Sequence, residues 1–344
     1  MTSLLIPSSF LLLFSSFNLF GIKQSLIVRQ SIYVVIGFIV FFIVKKIGLN
    51  FIKINSRFFY WVFIFILIIT YVIGIEIKGS KRWIDLYFFN FQASEIFKPF
   101  FIIFMAKYLS EAEQVSNKLK VFVLSLFYFI LPTFIIFKQP DLGNSLTYLF
   151  IYLIMIYFSG LPKKYLIYLI LFMVLSLPLL WLSLKTYQKD RIYSFLNPQF
   201  DQQGNSYNMI QAMIAVGSGK FFGQGLGLGK QSRLFFLPEN QTDFAFSSLI
   251  EQFGFVGGFI CLALYIIMTV IIIIRCFKHF MVRGDNEHFN FYYLLGFLSY
   301  FVFQIIINIG MNFGLLPIAG IALPFMSYGG SSIIALMVSM ALIP

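Results

Sequence analysis

The sequence predicts an all-α, polytopic membrane protein with about ten transmembrane helices and one long extracytoplasmic loop. Of its 344 residues, 60% are hydrophobic and only 11% are charged, and the mean hydropathy is +0.89. A soluble core does not require so apolar a chain, whereas a bilayer with a hydrocarbon layer of about 30 Å requires repeated apolar runs of about 20 residues. We expect residues 1–344 to form a single membrane domain.

Apolar runs separated by polar segments give the predicted helices in order along the chain. Pro132, Pro178 and Pro324 interrupt three of these runs, and neighbouring helices can tolerate such interruptions in a membrane. The first run has no basic segment before it and no small-residue cleavage site after it, so we expect a retained helix and not a signal peptide. The predicted spans are 4–21, 31–48, 58–76, 95–110, 121–137, 142–160, 164–184, 245–274, 289–310 and 318–343.

The distribution of basic residues predicts an orientation with both termini in the cytoplasm. The inner loops then carry about twice as many Lys and Arg residues as the short outer loops, which is the usual bias in membrane proteins. The net charge of +12 largely reflects this bias, so no nucleic-acid partner is expected. Most acidic residues then fall on the outer side. Insertion does not require that placement, which indicates polar chemistry at the extracytoplasmic surface.

The outer segment between the third and fourth runs carries clustered charges. Lys81 and Arg82 directly precede Trp83, and these cations could hold a phosphate at the headgroup level. The alternative is an interfacial Trp beside lipid-facing basic residues. Glu95 and Lys98 begin the fourth run with i,i+3 spacing, so they can pair on one helix face. Charges inside a membrane indicate a functional site, although a structural ion pair explains them almost as well.

Asp141 lies at the beginning of the sixth run, directly after Pro140. Proline cannot continue the preceding helix and suits the first turn of the next one. A carboxylate near that helix N-terminus is favoured by the helix dipole. The first interpretation of Asp141 is therefore a helix cap, and a catalytic role is the second.

The segment 185–244 is too long for an ordinary connection, which indicates a functional or disordered loop. Its glycine-rich stretch, 217–230, lacks the residue order of a phosphate-binding nucleotide loop, so we exclude a nucleotide site. Glycines there let the backbone turn tightly and approach a ligand or the membrane. Positive charge that attracts anions comes from Arg191, Lys220, Lys230 and Arg233.

Cysteine and histidine residues do not predict a metal site. Cys261 and Cys276 lie in one predicted helix and are too far apart along it to form a disulfide. His279 and His288 lie in an inner loop without ligand spacing. A His/Cys metal site and a Ser-His-Asp triad are therefore not expected.

The most informative acid is Asp243, at the mouth of the eighth run. A carboxylate at a membrane boundary is costly to desolvate, so it needs a chemical or structural reason to be there. If the helix begins near Thr242, that residue is a reasonable N-cap. Asp243, Ser247 and Glu251 then share one helix face by i,i+4 spacing, while Glu239 belongs to the loop.

A second polar stripe follows the same spacing in the ninth run. It consists of Gln304, Asn308 and Asn312. Such amides avoid lipid and turn into a helix bundle, where hydrogen bonding between helices is the simplest interpretation.

Ordered blocks covering nearly the whole chain resemble the SEDS family (shape, elongation, division and sporulation). Because many blocks occur at the spacing of that family, the resemblance is specific. The amino-acid sequences of residues 139–143 and 229–232 are closer to the RodA branch than to the FtsW branch. The blocks are 82–86 (RWIDL), 139–143 (QPDLG), 207–211 (YNMIQ), 237–244 (LPENQTDF), 308–312 (NIGMN) and 314–332.

The resemblance implies a peptidoglycan glycosyltransferase that polymerises lipid II at the outer face of the bacterial cytoplasmic membrane. Asp243 matches the essential aspartate of the family, and a base is needed to take the proton from the acceptor 4-hydroxyl. Cations must hold the leaving pyrophosphate, and a divalent cation, Mg²⁺ or Mn²⁺, could assist. The implied partners are lipid II, membrane lipids and a class B penicillin-binding transpeptidase. Candidate substrate-binding residues are Lys81, Arg82, Trp83, Glu95, Lys98, Asp141, Arg191, Lys220, Glu239, Thr242, Ser247 and Glu251.

Two other functional classes stay open. A lipid II flippase requires a polar path through the helix bundle, and the stripe Gln304, Asn308 and Asn312 is compatible with one. A non-catalytic scaffold for cell-wall synthases requires no active carboxylate. The sequence also departs from the family beside Asp243, where Gln241 replaces a common His, so no neighbouring His can relay a proton.

Overall fold

The computed structural model describes residues 2–77, 80–85, 89–112, 115–197, 205–282 and 284–344. Helices account for most of this part of the chain, which confirms the predicted all-α class. The helices are, in order, α1 Thr2–Ile22, α2 Ser25–Ile47, α3 Leu49–Ile54, α4 Ser56–Ile73, α5 Ala93–Ala112, α6 Lys118–Lys138, α7 Leu142–Phe158, α8 Lys163–Ser183, α9 Thr186–Leu196, α10 Asn205–Ser218, α11 Lys230–Arg233, α12 Ala245–Met281, α13 Asp285–Asn312 and α14 Gly330–Ala341.

Six helices in the described part of the chain are long and apolar enough to cross a bilayer, namely α1, α2, α4, α6, α12 and α13. Two others, α7 and α14, are apolar but shorter. The protein is therefore a multi-pass membrane protein. A helix lies at each predicted span, but the predicted number of about ten membrane crossings is not confirmed.

A short antiparallel sheet lies between α4 and α5 and adds to the helical fold. Its strands are β1 (Ile75–Ile77), β2 (Ser80–Asp85) and β3 (Asn90–Phe91), in the order β1-β2-β3. Strand β2 packs on α4 and α5, and its Trp83 pairs with Ile75 of β1. The sequence analysis missed this sheet because its strands are too short for alternation to stand out beside the long apolar runs.

The last predicted span, 318–343, was only partly right. It is helical in α14, whereas residues 313–329 form turns and irregular backbone. Gly314 and Gly320 adopt φ angles of +70° and +65°, which an α-helix does not contain. The apolar character of this segment reflects burial in the protein, as shown by Phe325, which is 1% exposed. Hydropathy registers burial in protein and contact with lipid alike, so it could not separate the two.

A break at Gly254 divides α12, where φ is 69° and ψ is −167°. An adjoining turn of the chain bonds to the backbone at the break. The Gln224 N–H donates to the Glu251 carbonyl over 2.9 Å, and the Phe255 N–H donates to the Lys220 carbonyl over 2.9 Å. A Cβ at Gly254 would collide with the backbone of that turn. Only glycine permits both this φ angle and this close approach.

Helix α13 lies at the centre of the bundle, where it packs against α5, α7 and α12, while α14 packs against α2 and α5. The segment 185–244, predicted as a functional or disordered loop, contains α9, α10 and α11. Helix α10 packs on α12. This packing brings residues 237–244 to the adjoining ends of α12 and α13.

The cysteines and histidines lie in α12 after Gly254 and in the first turn of α13. Cys261 and Cys276 are buried in α12 and unbridged. His279 lies in α12 and His288 in α13, so their predicted placement in a loop was wrong. The His279 ring bonds to the Glu287 carboxylate across the turn between these two helices.

Candidate active site around Asp243

Asp243 lies in a turn, two residues before α12 begins. The predicted helix start near Thr242 was therefore wrong. The Thr242 hydroxyl does not cap the helix but donates to the Glu239 carboxylate over 2.8 Å. Asp243 consequently does not share a helical face with Ser247 and Glu251, and the i,i+4 argument that joined these three residues fails.

The backbone around Asp243 is held by side chains that are distant in sequence. The amides of Asn308 and Asn312 both donate to the Asp243 carbonyl, over 3.1 Å and 3.0 Å. The Ser327 hydroxyl donates to the Thr242 carbonyl over 2.6 Å. The asparagines predicted to join helices therefore fix the position of the Asp243 backbone.

The Asp243 carboxylate and the Arg191 guanidinium both lie close to Gly320. A Cβ added to Gly320 would lie 3.9 Å from Asp243 Oδ2 and 3.7 Å from Arg191 Nη1. Arg191 Nη1 also donates to the Ile318 carbonyl over 3.4 Å. Asp243 is half-buried. A carboxylate can accept a proton from a hydroxyl, and a guanidinium can bind an anion.

A shallow recess adjoins Arg191 on the side of α9 and α10. Its lining residues are Arg191, Ser194, Phe195, Met209 and Ile318. One end of the recess is cationic and the rest is mainly apolar. The recess has no room for a water molecule in this structure, so it does not by itself indicate a ligand site.

A second polar cluster surrounds Asp141, which caps α7 by accepting the Asn144 backbone N–H over 3.3 Å. The predicted cap is therefore confirmed. Arg82 of β2 approaches the same carboxylate to 3.3 Å, and the Gln92 amide and Ser94 hydroxyl donate to it over 3.0 Å and 3.4 Å. Protein donors thus already bond to this carboxylate, which favours a structural role for Asp141.

Glu95 and Lys98 form the ion pair that their i,i+3 spacing predicted. Lys98 Nζ lies 2.6 Å from Glu95 Oε1, and the Lys98 side chain is 0% exposed. The Lys98 ammonium also lies 4.9 Å from the centre of the Tyr300 ring in α13. Removing one partner of such a pair would leave a buried charge uncompensated. A substrate-binding role for the pair stays a prediction.

Ser247 and Glu251 make contacts inside the protein. Glu251 is fully buried and accepts the backbone N–H groups of Gln231 and Ser232 over 2.7 Å and 2.9 Å, together with the Ser232 hydroxyl. It thus anchors α11. The Ser247 hydroxyl donates to Asn312 Oδ1 over 2.6 Å. Both residues support the chain around Asp243.

The remaining predicted residues lie nearer the surface. Lys81 is exposed on β2, and Trp83 is half-buried with the Arg82 guanidinium 6.0 Å from its ring. Lys220 has a φ of 47° and an exposed side chain. Glu239 has a φ of 54° and anchors Thr242 through the bond described above.

The sequence analysis did not identify three residues that shape the site. Ser327 holds the Thr242 carbonyl, the Tyr328 N–H donates to the Gln241 carbonyl over 2.8 Å, and Gly320 gives room to Asp243. All three lie in the block 314–332, which carried the family resemblance but received no structural role. Their apolar surroundings concealed them, because the block was interpreted as part of a span.

Among the residues that the structure describes, no group of three or more His, Cys, Asp or Glu side chains could hold a metal ion. The residue that reaches Gly320 beside Asp243 is a cation, Arg191. A divalent cation prefers several oxygen ligands, so this donor set does not fit a metal chelated by protein alone. No step proposed for Asp243 involves a metal.

The full length of the chain is similar to known proteins. The model of the FtsW/RodA/SpoVE family, described as cell cycle proteins, matches residues 2–344. A probable peptidoglycan glycosyltransferase FtsW from Hydrogenovibrio crunogenus is 33% identical over 330 residues, which is 94% of this chain and 82% of that protein. Stage V sporulation protein E of Bacillus subtilis is 33% identical over 325 residues, which is 92% of this chain and 85% of that protein.

Solved structures share the fold. A chain of a peptidoglycan synthase complex superposes with a TM-score of 0.83 at 25% identity, covering 100% of this chain and 96% of that one. The rod shape determining protein RodA of Thermus thermophilus gives a TM-score of 0.72 at 24% identity, covering 99% and 94%. The predicted preference for the RodA branch stays a prediction, since the relatives above are named FtsW and stage V sporulation protein E. The chain therefore belongs to the FtsW/RodA/SpoVE family, as the SEDS resemblance predicted.

Proposed function

We propose that the protein is a peptidoglycan glycosyltransferase that polymerises lipid II at the outer face of the bacterial cytoplasmic membrane, with Asp243 as the general base. The observation that carries this proposal is a half-buried carboxylate with a fixed backbone and an arginine at the same glycine. The names of the relatives support the activity. The multi-pass fold supports a substrate that itself resides in the membrane.

The proposed reaction needs one proton acceptor and one anion site. Asp243 takes the proton of the acceptor 4-hydroxyl, whose oxygen forms a bond to the anomeric carbon of the donor. The bond from that carbon to the pyrophosphate oxygen breaks, and the electron pair leaves with undecaprenyl pyrophosphate. We assign to Arg191, which approaches the same glycine as Asp243, the role of offsetting the charge that develops on the leaving group. If a divalent cation takes part, pyrophosphate oxygens and water would supply most of its ligands.

The transition state of glycosyl transfer is oxocarbenium-like at the anomeric carbon, and pyrophosphate is already a good leaving group. Positioning is therefore the main further contribution of the protein. The bonds from Asn308 and Asn312 to the Asp243 carbonyl provide this positioning. Arg82, half-exposed beside Asp141, is the second candidate for binding a phosphate. We propose a class B penicillin-binding transpeptidase as the partner, in line with the peptidoglycan synthase complex that shares the fold.

The test uses purified protein, labelled lipid II and the transpeptidase partner, with polymer length measured on gels. Asp243→Asn keeps the shape of the side chain and removes the base, so we expect loss of polymer. Asp190→Asn is the matched control, because Asp190 is an exposed acid directly beside Arg191 in α9, and we expect it to polymerise normally. Polymerisation by Asp243→Asn at the wild-type rate would refute the assignment of the base.

The same preparation separates the other functional classes. In proteoliposomes, translocation of lipid II without polymerisation by the wild type would favour a flippase. Activity that depends only on the partner, and that survives Asp243→Asn, would favour a scaffold. Complementation of strains depleted of the elongation or the division synthase distinguishes those two roles, which the RodA-like blocks and the FtsW-named relatives assign differently.

A further inference from the structure

One turn of α13 carries buried polar groups that have no hydrogen-bond partner within the described part of the chain. Gln304 is 0% exposed, and within the described residues neither its Oε1 nor its Nε2 has a hydrogen-bond partner. The Tyr300 hydroxyl, one helical turn earlier, likewise has none among those residues. On α5, Glu95 Oε2 is also buried without a hydrogen-bond partner among those residues.

These groups belong to one region of the bundle. Tyr300 and Gln304 are four residues apart and therefore lie on the same face of α13. The Lys98 ammonium lies 4.9 Å from the centre of the Tyr300 ring and 2.6 Å from Glu95 Oε1. Helices α5 and α13 pack directly on each other. Glu95 Oε2 and Tyr300 thus lie at the buried ion pair, and Gln304 lies one turn further along the same face of α13.

The chemistry of these groups identifies the ligand. Gln304 offers two N–H donors and an acceptor oxygen, Tyr300 offers a donor and an acceptor, and Glu95 Oε2 offers an acceptor. An ammonium has three N–H groups, of which Lys98 uses one on Glu95. A ligand that both donates and accepts matches this mixture, and a metal cation does not, because Lys98 already supplies the counter-charge to Glu95.

We propose that the Tyr300–Gln304 turn of α13 is a binding site for internal water, which completes the hydrogen bonding of the Glu95–Lys98 ion pair. Leaving this many polar groups dry would be strongly destabilising, whereas buried water commonly bridges two to four such groups. The buried amide of Gln304 therefore binds the water that hydrates the Glu95–Lys98 ion pair.

The site continues toward Asp243 along the same helix face. Asn308 follows Gln304 by one turn and Asn312 follows by two, and both amides donate to the Asp243 carbonyl. The water site and the asparagines that hold Asp243 therefore share one face of α13. The water site does not rest on the proposed function.

Hydroxyl-radical labelling by synchrotron radiolysis tests the site in the wild-type protein, since bound water generates the radical next to its neighbours. Tyr293 is the matched control, because it lies in the same helix, is 1% exposed and donates its hydroxyl to the Ser339 carbonyl over 2.6 Å. We expect Tyr300 to be labelled several-fold faster than Tyr293. Equal labelling of the two tyrosines would overturn the proposal.

The Tm and the labelling rate of the variant Gln304→Met provide an independent test. If the turn binds water, an apolar side chain of similar length displaces it, which lowers the Tm and slows labelling of Tyr300. If the turn is dry, removing an unsatisfied amide raises the Tm, and that result overturns the proposal. Should the variant not fold, labelling of the wild type still decides. Neither measurement involves lipid II, so its failure is distinct from failure of the proposed function.

Discussion

Replacing Asn312 by Asp tests how strongly the Asp243 backbone depends on α13. The Asn312 side chain has two roles that this substitution separates. Its Oδ1 accepts the Ser247 N–H over 2.9 Å and the Ser247 hydroxyl over 2.6 Å. Its Nδ2 donates to the Asp243 carbonyl over 3.0 Å and to the Asn308 carbonyl over 2.8 Å. Aspartate keeps the acceptor and loses both donors.

The expected loss of stability follows from those two bonds. Each contributes roughly 1 kcal/mol, and the Asp243 carbonyl keeps its bond from Asn308, so we expect about 2–3 kcal/mol in total once charge repulsion is included. A carboxylate facing the two carbonyl oxygens also repels them. Because one of the two bonds to the Asp243 carbonyl is lost, we expect the carboxylate to lose its fixed position. A turnover lower by about 10- to 100-fold is a typical consequence of such misplacement.

Thermal unfolding in detergent and polymerisation of labelled lipid II provide the two measurements. Ser299→Ala is the control, because Ser299 is buried in the same helix and, among the described residues, its hydroxyl bonds to the Leu295 carbonyl of that helix. We expect Ser299→Ala to change both quantities little. The reasoning is refuted if Asn312→Asp has the Tm and the turnover of this control.

Three further predictions concern other parts of the site. Glu251→Gln loses part of the anchor of α11, so we expect about 1–3 kcal/mol less local stability, measured as faster proteolysis of residues 219–236; unchanged proteolysis contradicts the anchoring role. Lys98→Met leaves Glu95 buried without a counter-charge, so we expect about 3–5 kcal/mol of destabilisation in chemical unfolding, and the double variant with Glu95→Gln should recover much of it. Gly320→Ala introduces a side chain at a φ of +65°, which costs about 1 kcal/mol, and it also crowds the site. We therefore expect weaker polymerisation with a nearly normal Tm, and unchanged polymerisation would show that Gly320 does not border the reacting groups.

Local spacing was sufficient to predict some of the site. The Glu95–Lys98 pair and the Asp141 cap each depend on residues within one helical turn, so the order of residues along the chain contains the needed information. The apolar runs likewise gave the positions of the helices. Each of these features is determined by neighbours in sequence.

The misplaced start of α12 had a different cause. A side chain at position 242 can cap a helix only if no stronger partner is available, and Glu239 is that partner. The carbonyl groups of Thr242 and Asp243 are held by Ser327, Asn308 and Asn312. These contacts join residues more than sixty positions apart, and no periodicity along a single segment reports them.

The break at Gly254 separates a short first part of α12 from the long remainder of the helix. That part is attached at one end to the turn that carries Asp243, and at the other end its carbonyl groups are bonded to the turn that includes Gln224. A force applied to this turn would be transmitted along a rod of about two helical turns to the Asp243 backbone. The long remainder of α12 is bonded to the same turn through the Phe255 and Val256 N–H groups. Displacement of the turn is therefore expected to move the Asp243 backbone and the long part of α12 together.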